Sequence, residues 1–215
     1  MSDSTPSTNA LYTNAPGSVI TDVGVSLDGY LAGPHQSLEN PMGERAAEVL
    51  HRWMFEQPEA NERSMTAITD HGAFVMGRNM FGPVRGDWDS SEEWRGWWGD
   101  NPPYHGPVFV LSHYPREPLV MEGGTTFYFV TDGPEAALAL AREAAGGRSI
   151  SVAGGAETVR QYLALGAIDT LRLHVAPVVL GAGESIFTGM ESLQLEPLAS
   201  ETNELVTHVA YRPVR

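Results

Sequence analysis

From Val19 onward, short apolar runs alternate with longer amphipathic stretches. "VITDVGVSLDGYLAG" (Val19–Gly33) opens as an apolar strand and closes in a glycine-punctuated turn. Within Gly43–Phe55, Ala46, Val49, Leu50, Trp53 and Met54 recur at helical spacing, which predicts one helix with an apolar face. "AFVMG" (Ala73–Gly77) predicts a buried strand, and "RNMFGP" after it a short helix stopped by Gly82-Pro83. Further strands are predicted at "PVFVLSH", "TTFYFVT", "SISVAGG" and "DTLRLHVAPVVLG", where Pro177 marks an edge, a bulge or a kink. "DGPEAALALAREAAGG" predicts a helix with Asp132 as N-cap, Pro134 in its first turn and glycines at its end. "AETVRQYLALGA" predicts another helix, and the period-two alternation of "ELVTHVAYRPV" a closing strand.

Strands that alternate with helices predict an α/β fold with a mixed, mostly parallel sheet and helices on both faces. The closing strand follows its predecessor without a helix between them, which predicts an antiparallel addition at one edge. Residues 1–18 are small and polar and predict a flexible tail ahead of a single domain at 19–215. Residues 84–106 break the pattern and hold Trp88, Trp94, Trp97 and Trp98 among acids, glycine and proline. A loop of this length is functional or disordered, and its aromatic anchors argue against disorder.

Charge narrows the chemistry. The chain has 27 acidic and 13 basic residues, a formal net charge of −14, which argues against nucleic acid and anionic membranes as partners. An anionic ligand therefore needs a local guanidinium or backbone N–H groups. Every basic residue is arginine, so a Schiff-base lysine is excluded. Cysteine is absent, which excludes thiol nucleophiles and thiolate metal sites. The N-terminus lacks the basic and apolar regions of a signal peptide, and no stretch reaches the length of a membrane span. A cytoplasmic protein is the expectation.

Parallel sheets bind ligands at the carboxyl ends of their strands. Here the strand exits read Gly77-Arg78-Asn79, Ser112-His113 and Ala153-Gly154-Gly155-Ala156-Glu157-Thr158. Each offers a group suited to an anion: a glycine for close approach, a hydroxyl, a guanidinium, or a helix start. One such exit alone is common in proteins without a ligand there. Three in one chain point to a nucleotide.

"FVMGRNMFG", "VFVLSH", "VAGGAETVRQYL" and "LHVAPVVLGAG", with "VSLDGYLAG" near the start, together resemble the dihydrofolate reductase superfamily. The resemblance is strongest to the branch holding the reductase domain of the bifunctional riboflavin-biosynthesis deaminase–reductase, and it spans Val19 to Tyr211. It implies a dihydrofolate-reductase-like three-layer fold and a homodimer. It also implies NADPH as cofactor and hydride transfer to a pterin-, pyrimidine- or ribosylaminouracil-like heterocycle. Carried over by position, Gly77, Arg78 and Asn79 meet the cofactor's phosphates. Ser112 and His113 lie by the adenosine 2′-phosphate. Gly154, Gly155, Ala156, Glu157 and Thr158 hold the pyrophosphate and approach the nicotinamide, and Val25-Ser26 contact the carboxamide through their backbone.

The substrate side is less defined. Dihydrofolate reductases themselves place a carboxylate on the first helix; here Glu44 and Glu48 are offered, and Glu48 lies beside the inward face. Asp28 and Glu48 are the candidate catalytic carboxylates, against the alternatives of a turn-forming aspartate and a solvated helix face. Gln36, beside His35 in the loop after the first strand, and Trp53 are candidate substrate contacts. The loop tryptophans either wall the substrate or anchor their own loop, and Gly181 and Gly183 suit a lid. The histidines form no ligand-spaced cluster, so no metal is expected. Two other readings remain: a flavin in the same groove, and a non-catalytic homodimer joined through the closing strand.

Overall fold

The computed structural model describes residues 8–83, 85–88 and 94–214. In chain order the elements are β1 (Val19–Ser26), β2 (Tyr30–Ala32), α1 (Ala46–Val49), α2 (Arg52–Glu56), α3 (Glu62–Thr69), β3 (Ala73–Gly77) and α4 (Arg78–Phe81). There follow β4 (Pro107–Leu111), β5 (Leu119–Val120), β6 (Thr126–Val130), α5 (Pro134–Ala145), β7 (Ile150–Gly154) and α6 (Ala156–Ala164). The chain closes with β8 (Thr170–Ala176), β9 (Glu184–Ser185), β10 (Leu195–Thr202) and β11 (Thr207–Pro213).

A nine-stranded sheet runs in the order β10-β11-β8-β1-β7-β3-β4-β6-β5. Its strands from β8 through β6 are parallel. Antiparallel strands extend both ends: β11 and β10 beside β8, and β5 beside β6. β2 and β9 form a separate two-stranded ribbon. All residues of β3 are buried, because helices cover both faces of the sheet. Ala73 and Val75 join Val152, Val159 and Tyr162 in the layer under α5 and α6. Phe74 and Met76 point the other way, onto Phe81, Trp88, Val108 and Val110. The predicted mixed, mostly parallel α/β fold of three layers is the fold observed.

Several local expectations are corrected. The single helix over 43–55 is two short helices entered from a clamped loop. Gly43 and Arg45 have φ of 75° and 65°, and Glu44 N–H donates to Pro34 O at 2.9 Å. A Cβ on Gly43 would collide with Gly33 O, so tertiary contact overrides the helical period there. Gly133, not Asp132, is the N-cap of α5. β8 ends at Ala176, before Pro177. The closing strand β11 is interior, and the outermost position belongs to β10, whose mostly exposed "LEPLASET" gives little strand signal.

The N-terminal segment is packed from Thr8 on, while residues 1–7 lie outside the described residues. Leu11 is buried against Ala199 and Ala210. The Arg172 guanidinium donates to Ala10 O at 3.0 Å and to Asn14 Oδ1 at 2.8 Å. A third bond runs to Thr13 O at 2.6 Å.

Arg172 belongs to a polar layer on the α1–α3 side of β1, β8 and β11. Its Nη1 lies 3.4 Å from Asp22 Oδ2, with both side chains 1% exposed. His174 Nδ1 is 2.7 Å from His208 Nδ1, and His208 Nε2 is 2.9 Å from Asn61 Oδ1. Asn61 Oδ1 is an acceptor, so His208 donates from Nε2 and accepts at Nδ1. His174 then donates from Nδ1. Trp53 covers both rings at centroid distances of 5.0 and 5.1 Å.

Candidate functional site

The predicted exits converge. In the sheet Met76 pairs with Gly154 and Gly77 with Leu111, so the ends of β7, β3 and β4 stand side by side. A Cβ on Gly77 would collide with Thr158 Oγ1 and sit 3.7 Å from Gly155 N, so this glycine lets the start of α6 close against β3. The Gly154–Gly155 peptide is cis, and Gly154 has φ 119°, a conformation that a Cβ disfavours. A Cβ at Gly155 would meet nothing within 4 Å, so the backbone there faces open space. Gly155 is the N-cap of α6 and places no side chain over the first-turn N–H groups of Ala156, Glu157 and Thr158. Glu157 adds a charge that an anion would avoid. Arg160 compensates it, and that bond, followed by Gln161 at 3.2 Å, holds its carboxyl below the usual range.

Arg78, at the start of α4, places its guanidinium carbon 3.7 Å from the Trp88 ring centroid. Arg116, in the exit loop of β4, lies 4.9 Å from the same ring and donates to Trp94 O at 3.2 Å. Burial, and then the neighbouring Arg116 charge, bring Arg78 down to about 10, so it stays cationic at neutral pH. Two guanidiniums thus share one aromatic wall in a strongly acidic chain. The sequence marks Arg116 only as a rare basic residue in a strand-exit loop, and no expectation rested on it.

Ser112 is buried and closes its own turn, donating to Tyr114 O at 2.8 Å and accepting from Tyr114 N at 3.0 Å. Trp88 Nε1 donates to the same carbonyl at 3.0 Å, so Ser112 positions the wall behind Arg78. His113 is exposed and Asn79 half-buried. Trp94 Nε1 donates to Phe81 O at 2.7 Å and Trp97 Nε1 to Met80 O at 2.6 Å. These indoles satisfy carbonyls at the end of α4, which is too short to satisfy them itself. Of the two roles open to the tryptophans, Trp88, Trp94 and Trp97 take the anchoring one.

The substrate-side candidates separate. Val25 and Ser26 are buried at the end of β1. Asp28 accepts from Ser26 Oγ at 2.6 Å, Leu180 N at 3.1 Å and Gly181 N at 2.7 Å. The Ser26 hydroxyl leads the effects that hold its carboxyl below the usual range. Asp28 is therefore an ionised bracket between the β1 turn and the β8 exit, unsuited to donate a proton. Glu48 is exposed on α1. Gln36 Nε2 donates to Pro41 O at 3.1 Å, closing its own loop. Trp53, expected to contact substrate, is 1% exposed and covers the imidazole layer. The inward face of the first helices meets that layer, which the apolar spacing could not reveal. Among the described residues no three His, Asp or Glu side chains gather as a metal site, and no helix is long and apolar enough to cross a membrane.

The architecture and the glycine-lined strand exits are those of the dihydrofolate-reductase-like α/β fold. Within it, the chain belongs to the RibD C-terminal domain family, whose model matches residues 17–209. Similar solved structures include a Shewanella sp. PV-4 protein attributed to riboflavin biosynthesis, at 25% identity over 92% of this chain and 99% of that one, with a TM-score of 0.63. The riboflavin biosynthesis reductase Rib7 of Saccharomyces cerevisiae shares 14% identity over 99% and 100% of the two chains, with a TM-score of 0.54. A dihydrofolate reductase of Enterococcus faecalis, complexed with NADP(H), shares 13% over 94% and 100%, with a TM-score of 0.53. The last two show the shared fold. No curated protein matches the sequence.

Proposed function

We propose that the protein is an NADPH-dependent reductase acting on a small pyrimidine- or pterin-like heterocycle. The observation that carries this reading is the meeting of Gly77, the Gly154–Gly155 opening, the bare start of α6 and the Arg78–Arg116 pair at one end of the parallel strands. The residues fit the cofactor: Gly155 and the first-turn N–H groups of α6 would hold its pyrophosphate, and the Arg78 and Arg116 guanidiniums would take a terminal phosphate. Rib7, with the same fold, is named a reductase, and the Enterococcus enzyme was solved with NADP(H). Bound there, NADPH supplies the hydride. The chain contributes position and dryness: Val25 and Ser26 end β1 at the nicotinamide side, and the Asp28 bracket holds the β8 exit loop beside them. Asp28, ionised and accepting three hydrogen bonds, would not be the source of the proton that accompanies the hydride.

A fluorescence titration with NADPH and NADH tests this. Arg78→Ala and Arg116→Ala should each weaken NADPH about 10- to 100-fold, the loss of one charge-assisted contact, and affect NADH far less. Absence of NADPH binding by the unaltered protein at millimolar concentration overturns the reading.

A further inference from the structure

Two walls flank the Gly154–Gly155 opening. A Cβ on Gly154 would stand 3.9 Å from Leu31 Cδ2 on β2 and 3.9 Å from Met80 Sδ on α4. The β2–β9 ribbon is therefore one wall and α4 the other. β9 continues the first wall, with Glu184 opposite Ala32 and Ser185 opposite Tyr30. The chain that leaves α4 continues the second and reaches residues 85–88. Arg85 Nη2 lies 2.7 Å from Glu184 Oε1, so an ion pair joins the two walls.

The two partners are held differently. On the ribbon side, Arg160 of α6 donates to Ser185 O while it pairs with Glu157. A Cβ on Gly183 would overlap Ala32 O, and one on Gly29 would stand 3.2 Å from Phe187 Cδ2, so the ribbon is closely packed. Glu184 thus stands on a fixed wall. On the other side, Gly86 has φ 88° and open space where a Cβ would be. Trp88 is pinned, with its ring against Arg78 and Arg116 and its Nε1 on Tyr114 O. Residues 85–88 therefore form a strap, pinned at the Arg78–Arg116 end and tied to the ribbon through Arg85. The Arg85 and Glu184 side chains are 65% and 38% exposed. An ion pair so exposed adds little to the stability of a fold, so it can break without disturbing the strands. A phosphate competes with Glu184 for the Arg85 guanidinium by the same chemistry.

We propose that Arg85 and Glu184 form a latch across the cofactor opening, and that this latch governs how fast the cofactor leaves. Closed, it draws the strap onto the ribbon. Open, it frees the strap to turn at Gly86 while Trp88 stays in place behind Arg78. This deepens the reductase reading and rests on it.

Stopped-flow fluorescence of NADPH release tests the latch. Arg85→Gln and Glu184→Gln should each speed dissociation about 2- to 5-fold, the worth of one exposed ion pair. Glu184→Arg, which sets two cations against each other, should speed it further. Adding Arg85→Glu to Glu184→Arg should bring the rate back to within about 2-fold of the unaltered protein, because the pair is rebuilt with its charges exchanged. Unfolding midpoints should not move in any of these variants. The chain has no cysteine, so Arg85→Cys with Glu184→Cys gives a short bismaleimide linker one place to react. Linked over bound NADPH, that variant should release it at least about 10-fold more slowly than when unlinked. Unchanged release from both glutamine variants, no recovery in the exchanged pair, or equal release from linked and unlinked protein overturns the proposal. Failure of the reductase reading shows separately, as absence of NADPH binding by the unaltered protein. Hydrogen exchange at the β2 and β9 amides without cofactor then decides on the latch. It should quicken in Glu184→Gln and return in the exchanged pair, and equal exchange in all three overturns it.

Discussion

The two faces of β8 differ in what holds them. Leu171 and Leu173 enter the apolar layer beneath α5 and α6. Arg172 and His174, between and after them, enter a layer of Asp22, His208 and Asn61 roofed by Trp53. Apolar contacts are non-directional, so the first face tolerates repacking. The second is directional: each buried polar atom needs its own partner, and removing one leaves another exposed to the full cost of desolvation. One strand therefore carries two kinds of stability, one graded and one all-or-none.

The sharpest break of this contrast is at the buried ion pair. Arg172→Ala should cost about 3–5 kcal/mol in urea unfolding, because Asp22 is left charged and unmatched. Replacing both residues, Asp22→Leu with Arg172→Met, should recover much of that loss. Leu171→Ala should cost about 2–5 kcal/mol, with no second polar change able to repair it. A milder effect for Arg172→Ala than for Leu171→Ala would erase the distinction.

Acid should expose the polar face next. Burial pushes His51 and His71 down to about 4 and His208 to about 3. The unfolded chain takes up these protons first, near pH 6.5, so stability present above that pH is lost as pH falls toward 4. For His51 and His71 the loss by pH 4 is on the order of 2–3 kcal/mol each. Asp22, whose carboxyl is held below its ordinary value chiefly by His174 and Arg172 against burial, contributes only at lower pH. Denaturation midpoints from pH 7 to 4 should fall steeply, and His71→Asn should flatten the curve; a level profile would count against neutral imidazoles at His51, His71 and His208.

A smaller effect is expected where β3 meets α6. Gly77→Ala should cost about 1–3 kcal/mol by overpacking against Thr158 Oγ1, and Thr158→Ala in the same chain should relieve most of it. If the double variant is no better than the single one, the close approach lies elsewhere. Least of all, Arg52→Ala, which breaks the exposed pair with Glu56, should leave the unfolding midpoint where it was.

What was legible in the sequence follows the same divide. β3 with α4 and β7 with α6 announce themselves because short apolar runs end in glycine at the point where a helix begins. The polar face does not, because Arg172 and Asp22 are separated by 150 positions and only the folded sheet brings them together. Trp53 shows the limit in one residue: its helical spacing marks it as inward, but not that inward means a bed of imidazoles. Arg116 had no periodicity to belong to, and its place beside Arg78 comes from the packing of Trp88 between loops.

A one-turn helix such as α4 has no interior, and the indoles of Trp94 and Trp97 serve as its missing next turn. The consequence is a division of labour between distant pieces of chain. Substitutions at position 97, which need never touch a ligand, should register as a loosened grip at Arg78. The tryptophan-bearing loop after α4 can thus evolve as a dial on affinity while the strands beneath it stay unchanged.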